Sequence, residues 1–79
     1  DQGNTESAIG HYLRALAIDP TSIPARYNLS TAFAAIGRLD EAIAAMEVCL
    51  KQASAADRRE LIPRIEDRLT RLRAQQRPP

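Results

Sequence analysis

Apolar and small side chains recur at helical spacing along most of the chain, most clearly between residues 25 and 50. Each half of this stretch places residues at i, i+3, i+4 and i+7, which is one side of a helix. Between the halves stands Gly37, and a residue just past a helix end often needs positive φ. The pattern therefore predicts a hairpin of two helices hinged at Gly37. The residues at this helical spacing are Arg26, Leu29, Ser30 and Phe33 in the first helix, and Leu39, Ala42, Ile43, Met46, Cys49 and Leu50 in the second.

Residues that start or stop helices predict the bounds of an earlier helix. Residues 1–2 are interpreted as the tail of a preceding helix, with Gly3 as its turn. Asn4 is a good N-cap, so the next helix is expected to run from there to about Ile18. Pro20 ends it, because proline pushes the residue before it towards extended geometry.

The same signals set the bounds of the hairpin helices. Ser22 can cap the first of them, with Pro24 in the opening turn, where a missing N–H costs nothing. That helix is expected to reach about Ile36. The second is expected to run from about Leu39 to Gln52.

A composition change follows the hairpin, because residues 53–57 read as a linker of small side chains. Asp57 and Glu60 stand three residues apart, the spacing of a capping box, and predict a last helix from about residue 58 to 75. Pro63 lies inside it and predicts a bend or a late start. The apolar stripe of this last helix is narrow and consists of Ile62, Ile65, Leu69 and Leu72.

The chain also matches itself when it is shifted by 34 residues. Two helices per unit at this period resemble the tetratricopeptide repeat. The alternative is an unrelated small helical bundle. The residues that pair across the shift are Gly3 with Gly37, Ala8 with Ala42, Ile9 with Ile43, Tyr12 with Met46, Ala15 with Cys49, and Leu16 with Leu50. The residues at family signature places are Leu29, Ser30 and Phe33, then Ala42, Met46 and Cys49, and in the preceding half-repeat Ala8, Tyr12, Ala15 and Asp19-Pro20.

The resemblance implies an all-α fold, with antiparallel helical hairpins in a short right-handed α-solenoid of about four helices. Arg26 departs from the family pattern, in which Trp is common at this place. Glu66 replaces the small residue against which a further helix would pack, so the array is expected to end there. Since the chain opens without Met and within a repeat, we expect it to be a piece of something longer. The expected single domain, 1–79, divides into a half-repeat at 3–22, a full repeat at 23–54, a capping helix at 57–75 and a frayed tail at 76–79.

The charge and the apolar content of the chain argue against nucleic acids and membranes as partners. The formal net charge is +1, but residues 1–57 carry a net charge of −3 and residues 58–79 one of +4. Nucleic-acid binding is not expected, because no aromatic side chain interleaves with the C-terminal arginines to stack on bases. Much of the arginine charge should also be compensated by ion pairs, namely those of Arg64 with Glu60 and Asp67 and of Arg71 with Asp67. No apolar run is long enough to cross a membrane. A single cysteine excludes an intrachain disulfide and is compatible with a reducing compartment, but it says little about location. The location is therefore left unknown, with the cytoplasm favoured.

Candidate catalytic groups are few. His11 is expected on the outward side of its helix, and Cys49 at a small packing position, so they do not form a nucleophile and base. Asp40 and Glu41 are adjacent, which suits the first turn of a helix and not an acid–base pair. We therefore expect no enzyme activity, no cofactor and no metal site.

The resemblance implies a protein-interaction or scaffold module that binds a peptide or a partner helix in a concave groove. Asn28 and Arg64 fall where some family members hold the terminal carboxylate of a peptide. The alternative is an oligomerisation or structural segment of a larger protein, with no groove ligand of its own. Such a segment is expected to self-associate as a homodimer, because the first helix lacks its repeat partner over Ala8, Tyr12 and Ala15. The expected groove residues are Tyr27, Asn28, Thr31, Ala35, Arg64 and Arg71.

Overall fold

The computed structural model describes residues 2–76, and they form four α-helices and one short 3₁₀ turn. Each helix packs on its neighbour in the chain: α1 on α2, α2 on α3 and α3 on α4. This serial packing is that of a solenoid, and it confirms the predicted all-α fold. The bounds are α1 Gln2–Ile18, α2 Ile23–Ala35, α3 Leu39–Ala55, the 3₁₀ turn Arg59–Leu61 and α4 Ile62–Gln76.

The start of α1 differs from the prediction. Gly3 is helical and forms no turn, and Asn4 lies inside the helix instead of capping it. Glycine in a helix costs only about 1 kcal/mol relative to alanine, and the first N–H groups of a helix have no intrahelical partner in any case. Helical geometry can therefore include Gly3. The predicted tail of an earlier helix falls partly on residue 1, which lies outside the described residues.

The α2–α3 hairpin forms as predicted. The Ser22 hydroxyl caps α2 by accepting a hydrogen bond of 3.3 Å from the Ala25 amide, and Pro24 lies in the first turn. Gly37 adopts φ +80°. Around it the Arg38 amide donates to the Phe33 carbonyl at 2.9 Å, the hydrogen bond that closes a Schellman turn. The three-residue connection reverses the chain, so α2 and α3 are antiparallel.

A second Schellman turn ends α3 and replaces the predicted linker. The helix continues to Ala55, three residues beyond the predicted end at Gln52. Ala53 explains the extension, since it is fully buried and its burial requires the helix to continue. The Arg58 amide donates to the Ala53 carbonyl at 2.8 Å, which closes the turn.

Asp57 occupies the left-handed position of this second turn, with φ +57°. It corresponds to Gly37 in the first turn, and Asp is one of the few other residues that tolerate this geometry. The predicted capping box is therefore wrong. Asp57 closes α3 and pairs with Arg59 at 2.8 Å, and the N-cap of the 3₁₀ turn is Arg58, which makes no side-chain capping hydrogen bond.

The prediction for Pro63 is confirmed as a late start. The 3₁₀ turn comes first, and α4 begins at Ile62, so Pro63 lies in the first turn, where its missing N–H needs no partner. At the other end α4 includes Gln76, the first residue of the predicted frayed tail. Residues 77–79 lie outside the described residues.

The core is one cluster that runs through all four helices. Between α2 and α3 the fully buried Ser30 donates from its hydroxyl to the Ala42 carbonyl at 2.7 Å. Small side chains at both positions let the two backbones approach. Met46 and Cys49 are fully buried on the same side of α3. The remaining buried apolar members are Ile9, Leu16, Ile23, Leu29, Ala32, Phe33, Ile43, Ala53, Ile65, Leu69 and Leu72.

Candidate functional site

A depression of about 280 Å³ lies between α2 and the start of α4. It brings together three residues that the sequence predicted for the groove, namely Tyr27, Asn28 and Arg64. Asn28 and Arg64 are exposed at its rim, and Tyr27 is half-buried. The depression is lined by Ile23, Pro24, Tyr27, Asn28, Arg58, Leu61, Arg64 and Ile65.

The other three predicted residues lie farther along the same two helices. Thr31, one turn after Tyr27, donates its hydroxyl to the Tyr27 carbonyl at 3.2 Å and accepts a hydrogen bond of 3.1 Å from Arg68. Ala35 is exposed at the end of α2, away from the depression. Arg71 pairs with Asp67 at 3.3 Å and does not line the depression. The six residues therefore do not meet at one point.

Several residues of this region were not predicted. Leu61 and Arg58 enter the wall because the second Schellman turn and the 3₁₀ segment direct the chain across the start of α2. Nothing in the local sequence indicates that path. Arg68 could have been found, because it follows Arg64 by one helical turn on the same side of α4. Pro24, likewise, precedes Tyr27 by three residues.

The ion pairs around the depression differ in part from the prediction. Asp67 pairs with Arg71, as predicted. Glu60 pairs with Arg58 at 2.8 Å instead of with Arg64, and this hydrogen bond lowers the pKa of the Glu60 carboxyl. The predicted pairs of Arg64 with Glu60 and Asp67 are absent, and within residues 2–76 no carboxylate lies within 4 Å of the Arg64 guanidinium. The 3₁₀ turn explains the loss of the pair with Glu60, because it removes the helical spacing between residues 60 and 64. Asp67 keeps its helical spacing to Arg64 and pairs with Arg71 instead.

The thiol and the imidazole show no sign of nucleophilic chemistry. Burial raises the pKa of Cys49 to about 11, so the thiolate needed for attack is scarce at neutral pH. His11 is exposed, and its ring accepts a contact of 3.1 Å from Arg14 in the tautomer with unprotonated Nδ1. Among residues 2–76, no three His, Cys, Asp or Glu side chains gather as a metal site would require. No described helix is long and apolar enough to cross a membrane.

Comparison with known families supports the repeat. A sequence model of a family described as tetratricopeptide repeat matches residues 1–61, more than half of the 79-residue chain. No curated protein and no solved structure matches the chain. The matched range contains α1, α2 and α3, and it stops before α4. The match therefore covers six of the eight residues that line the depression, and the two from α4, Arg64 and Ile65, lie outside it.

Proposed function

Because the chain belongs to the tetratricopeptide-repeat family, whose members are in general protein–protein interaction modules, we propose that it binds a peptide or a partner helix along the groove between α2 and α4. The family is typically non-enzymatic, and we propose no catalytic activity for this chain. The depression lined by both helices is the observation that supports this proposal.

The size and lining of the depression suit a side chain of a partner protein. Its volume of about 280 Å³ lies just below the roughly 300–1,000 Å³ of typical small-molecule sites. Its apolar wall comes from Ile23, Leu61 and Ile65, while Asn28 and Arg64 offer hydrogen bonds at the rim. An apolar anchor flanked by polar contacts is the usual composition of a peptide-binding groove.

Filling the groove should abolish binding. Asn28 is exposed on the groove side of α2, so Asn28→Trp should obstruct the groove without disturbing the core. Against a peptide selected from a random displayed library, we expect Asn28→Trp to weaken binding at least about tenfold, as loss of a central contact does. Ala44→Trp, at an exposed site on α3, is the control and should bind as the parent chain does. Equal losses for both variants in fluorescence anisotropy would contradict groove docking.

A finer hypothesis is that Asn28 and Arg64 hold the terminal carboxylate of the partner. Arg64 would then donate a charge-assisted pair, and Arg64→Ala should cost on the order of 1.5–3 kcal/mol of binding free energy, less at high salt. The control is Arg73→Ala, since Arg73 pairs with Glu47 across α3 and α4 and does not line the depression. Calorimetry with a peptide and its C-terminally amidated form checks the result. Equal affinities for the two forms would remove the carboxylate hypothesis and leave groove binding intact.

A second candidate function is self-association through α1. This helix packs mainly on α2, and it leaves Leu13 50% and Ile18 87% exposed. Ala15, in the row with Ala8 and Tyr12 that the first helix of a repeat covers in the family, is exposed as well. Because α4 packs on α3, it does not serve as that cover. A second copy of α1 would bury this row, which favours a homodimer.

Light scattering tests the dimer. We expect the chain to have twice its 8.7 kDa mass at high concentration. Ala15→Glu should return it to a monomer, because the carboxylate would be buried without a partner between the copies. Ala44→Glu makes the same change at an exposed site on α3 and should leave the dimer intact. A monomer for the parent chain would exclude this candidate.

A further inference from the structure

We propose that the partner held in this groove is acidic: an amphipathic segment of another protein that inserts an apolar side chain into the depression and pairs flanking Asp or Glu side chains with α4. The inference rests on the proposed function and specifies the chemistry of its partner. The three side chains that would receive the acids are named the basic ridge. They are Arg64, Arg68 and Arg71.

The basic ridge lies on the side of α4 that faces α2. Its members stand at i, i+4 and i+7, so they rise along one side of the helix at one per turn. Arg64 lines the depression together with Tyr27, and Arg68 reaches across to donate to the Thr31 hydroxyl at 3.1 Å. Arg71 continues the row by one more turn. The ridge therefore runs parallel to the groove and not across it.

No acidic side chain of α2, on the opposite wall of the groove, compensates the positive charge of the ridge. The groove side of α2 presents Tyr27, Asn28 and Thr31, and α2 contains no Asp or Glu. Glu66 of α4 lies with Glu47 of α3 around a separate depression on the other flank of α4. Glu47 and Glu66 thus lie on the opposite flank from the ridge, and Asp67 is the one acid of α4 that pairs with it, through Arg71. Three arginines against one paired acid leave a positive charge that attracts anions to the groove.

The ridge has hydrogen-bond donors to offer. The pair of Arg71 with Asp67 is open to water, with side chains 68% and 62% exposed, and such pairs contribute little to stability. A guanidinium carries five N–H donors. Arg68 uses Nη2 on Thr31, and its Nε is buried without an acceptor among the described residues, so the donors open to a partner are those of Arg64 and Arg71. Incoming carboxylates can therefore bind at modest cost to the contacts already made.

The depression beside the ridge determines that the partner is amphipathic as well as acidic. Its wall is apolar through Ile23, Leu61 and Ile65, and it opens next to Arg64. A partner with an apolar side chain on one helical turn and acids on the neighbouring turns matches this sequence of contacts. Single-stranded nucleic acid fits less well, because successive bases stack on exposed aromatic side chains and the aromatic residue that lines the depression, Tyr27, is half-buried.

The test uses three fluorescent amphipathic peptides of one design, with Leu on the face that enters the groove and Glu, Gln or Lys at every flanking position. We expect the Glu peptide to bind at least about tenfold more tightly than the Gln peptide, and we expect the Lys peptide to bind most weakly. The affinity of the Glu peptide should fall as the salt concentration rises from about 50 to about 200 mM. Arg64→Gln with Arg71→Gln should weaken the Glu peptide about tenfold while keeping the contact between Arg68 and Thr31. The control with the same charge change is Arg14→Gln with Lys51→Gln, outside the groove.

The outcomes separate this inference from the function on which it rests. If the Glu and Gln peptides bind equally and Asn28→Trp still blocks both, the acidic partner is wrong and groove docking stands. If the Glu peptide binds best but Asn28→Trp has no effect, both are wrong, since the acids are held elsewhere. If the two charge variants weaken the Glu peptide equally, the effect is one of net charge and the ridge has no special role. If a single-stranded DNA of 20 nucleotides binds as tightly as the Glu peptide and is lost in the ridge variant, the partner class is wrong.

Discussion

Truncating Met46 to alanine is expected to lower the free energy of unfolding by about 2–5 kcal/mol, the range for deleting a buried methionine side chain. Met46 is fully buried on α3, in the cluster that joins the helices. Removing it takes apolar atoms out of the core and leaves a cavity whose lining loses contacts. For 79 residues the total stability is roughly 4–12 kcal/mol, so Met46→Ala should remove a large part of it.

Urea unfolding followed by circular dichroism measures this loss. The control is Ile18→Ala, which truncates a side chain that is 87% exposed and should change stability by about 0.5 kcal/mol or less. A loss for Met46→Ala as small as that of the control would mean that α3 does not pack in this register. The α2–α3 hairpin would then need a different alignment.

Replacing Gly37 by valine is expected to lower the free energy of unfolding by about 2 kcal/mol. Gly37 adopts φ +80°, and a residue with a Cβ pays about 1–2 kcal/mol there, a β-branched one at the upper end. A Cβ built at Gly37 meets no atom within 4 Å, so the loss comes from the backbone and not from a clash. For a domain of this size the melting temperature should fall by about 8–16 °C.

A graded series isolates the backbone effect. Gly37→Ala should lose about 1 kcal/mol, and Gly37→Asn less, because asparagine tolerates left-handed geometry. Gly10→Ala is the opposite control: Gly10 is inside α1 with open space around its Cβ position, so this change should add about 0.5–1 kcal/mol. Unchanged melting for Gly37→Val would show that the turn does not need positive φ.

Local pattern predicted the parts of the fold that depend on neighbours in sequence. The roles of Gly37, Ser22 and Pro24 follow from the sequence, because each residue ends or starts a helix through its own backbone geometry or through a hydrogen bond to a residue close in sequence. Asp57 does not: its left-handed φ follows from α3 continuing through the buried Ala53, and that burial is a property of the tertiary packing. Spacing alone suggested a capping box at this point because it cannot distinguish a helix start from a helix end.

The candidate site was predictable to a similar extent. Tyr27, Asn28 and Arg64 were expected together from the repeat register, and they line one depression. Arg58 was missed because the turn after α3 directs it there, and no periodicity encodes that turn. The ion-pair partner of Glu60 was wrong for the same reason, since the helical spacing assumed for residue 60 is interrupted by the 3₁₀ turn.

Amide chemical shifts provide a direct test of whether partners bind between α2 and α4. A ¹⁵N-labelled chain is titrated with the library-selected peptide while every assigned amide is followed. If partners dock in the groove, the largest shifts fall on Tyr27, Asn28, Thr31 and Arg64, and they are absent in Asn28→Trp. Saturable shifts confined to α1 and the exposed side of α3, with the groove amides unchanged, would contradict groove docking.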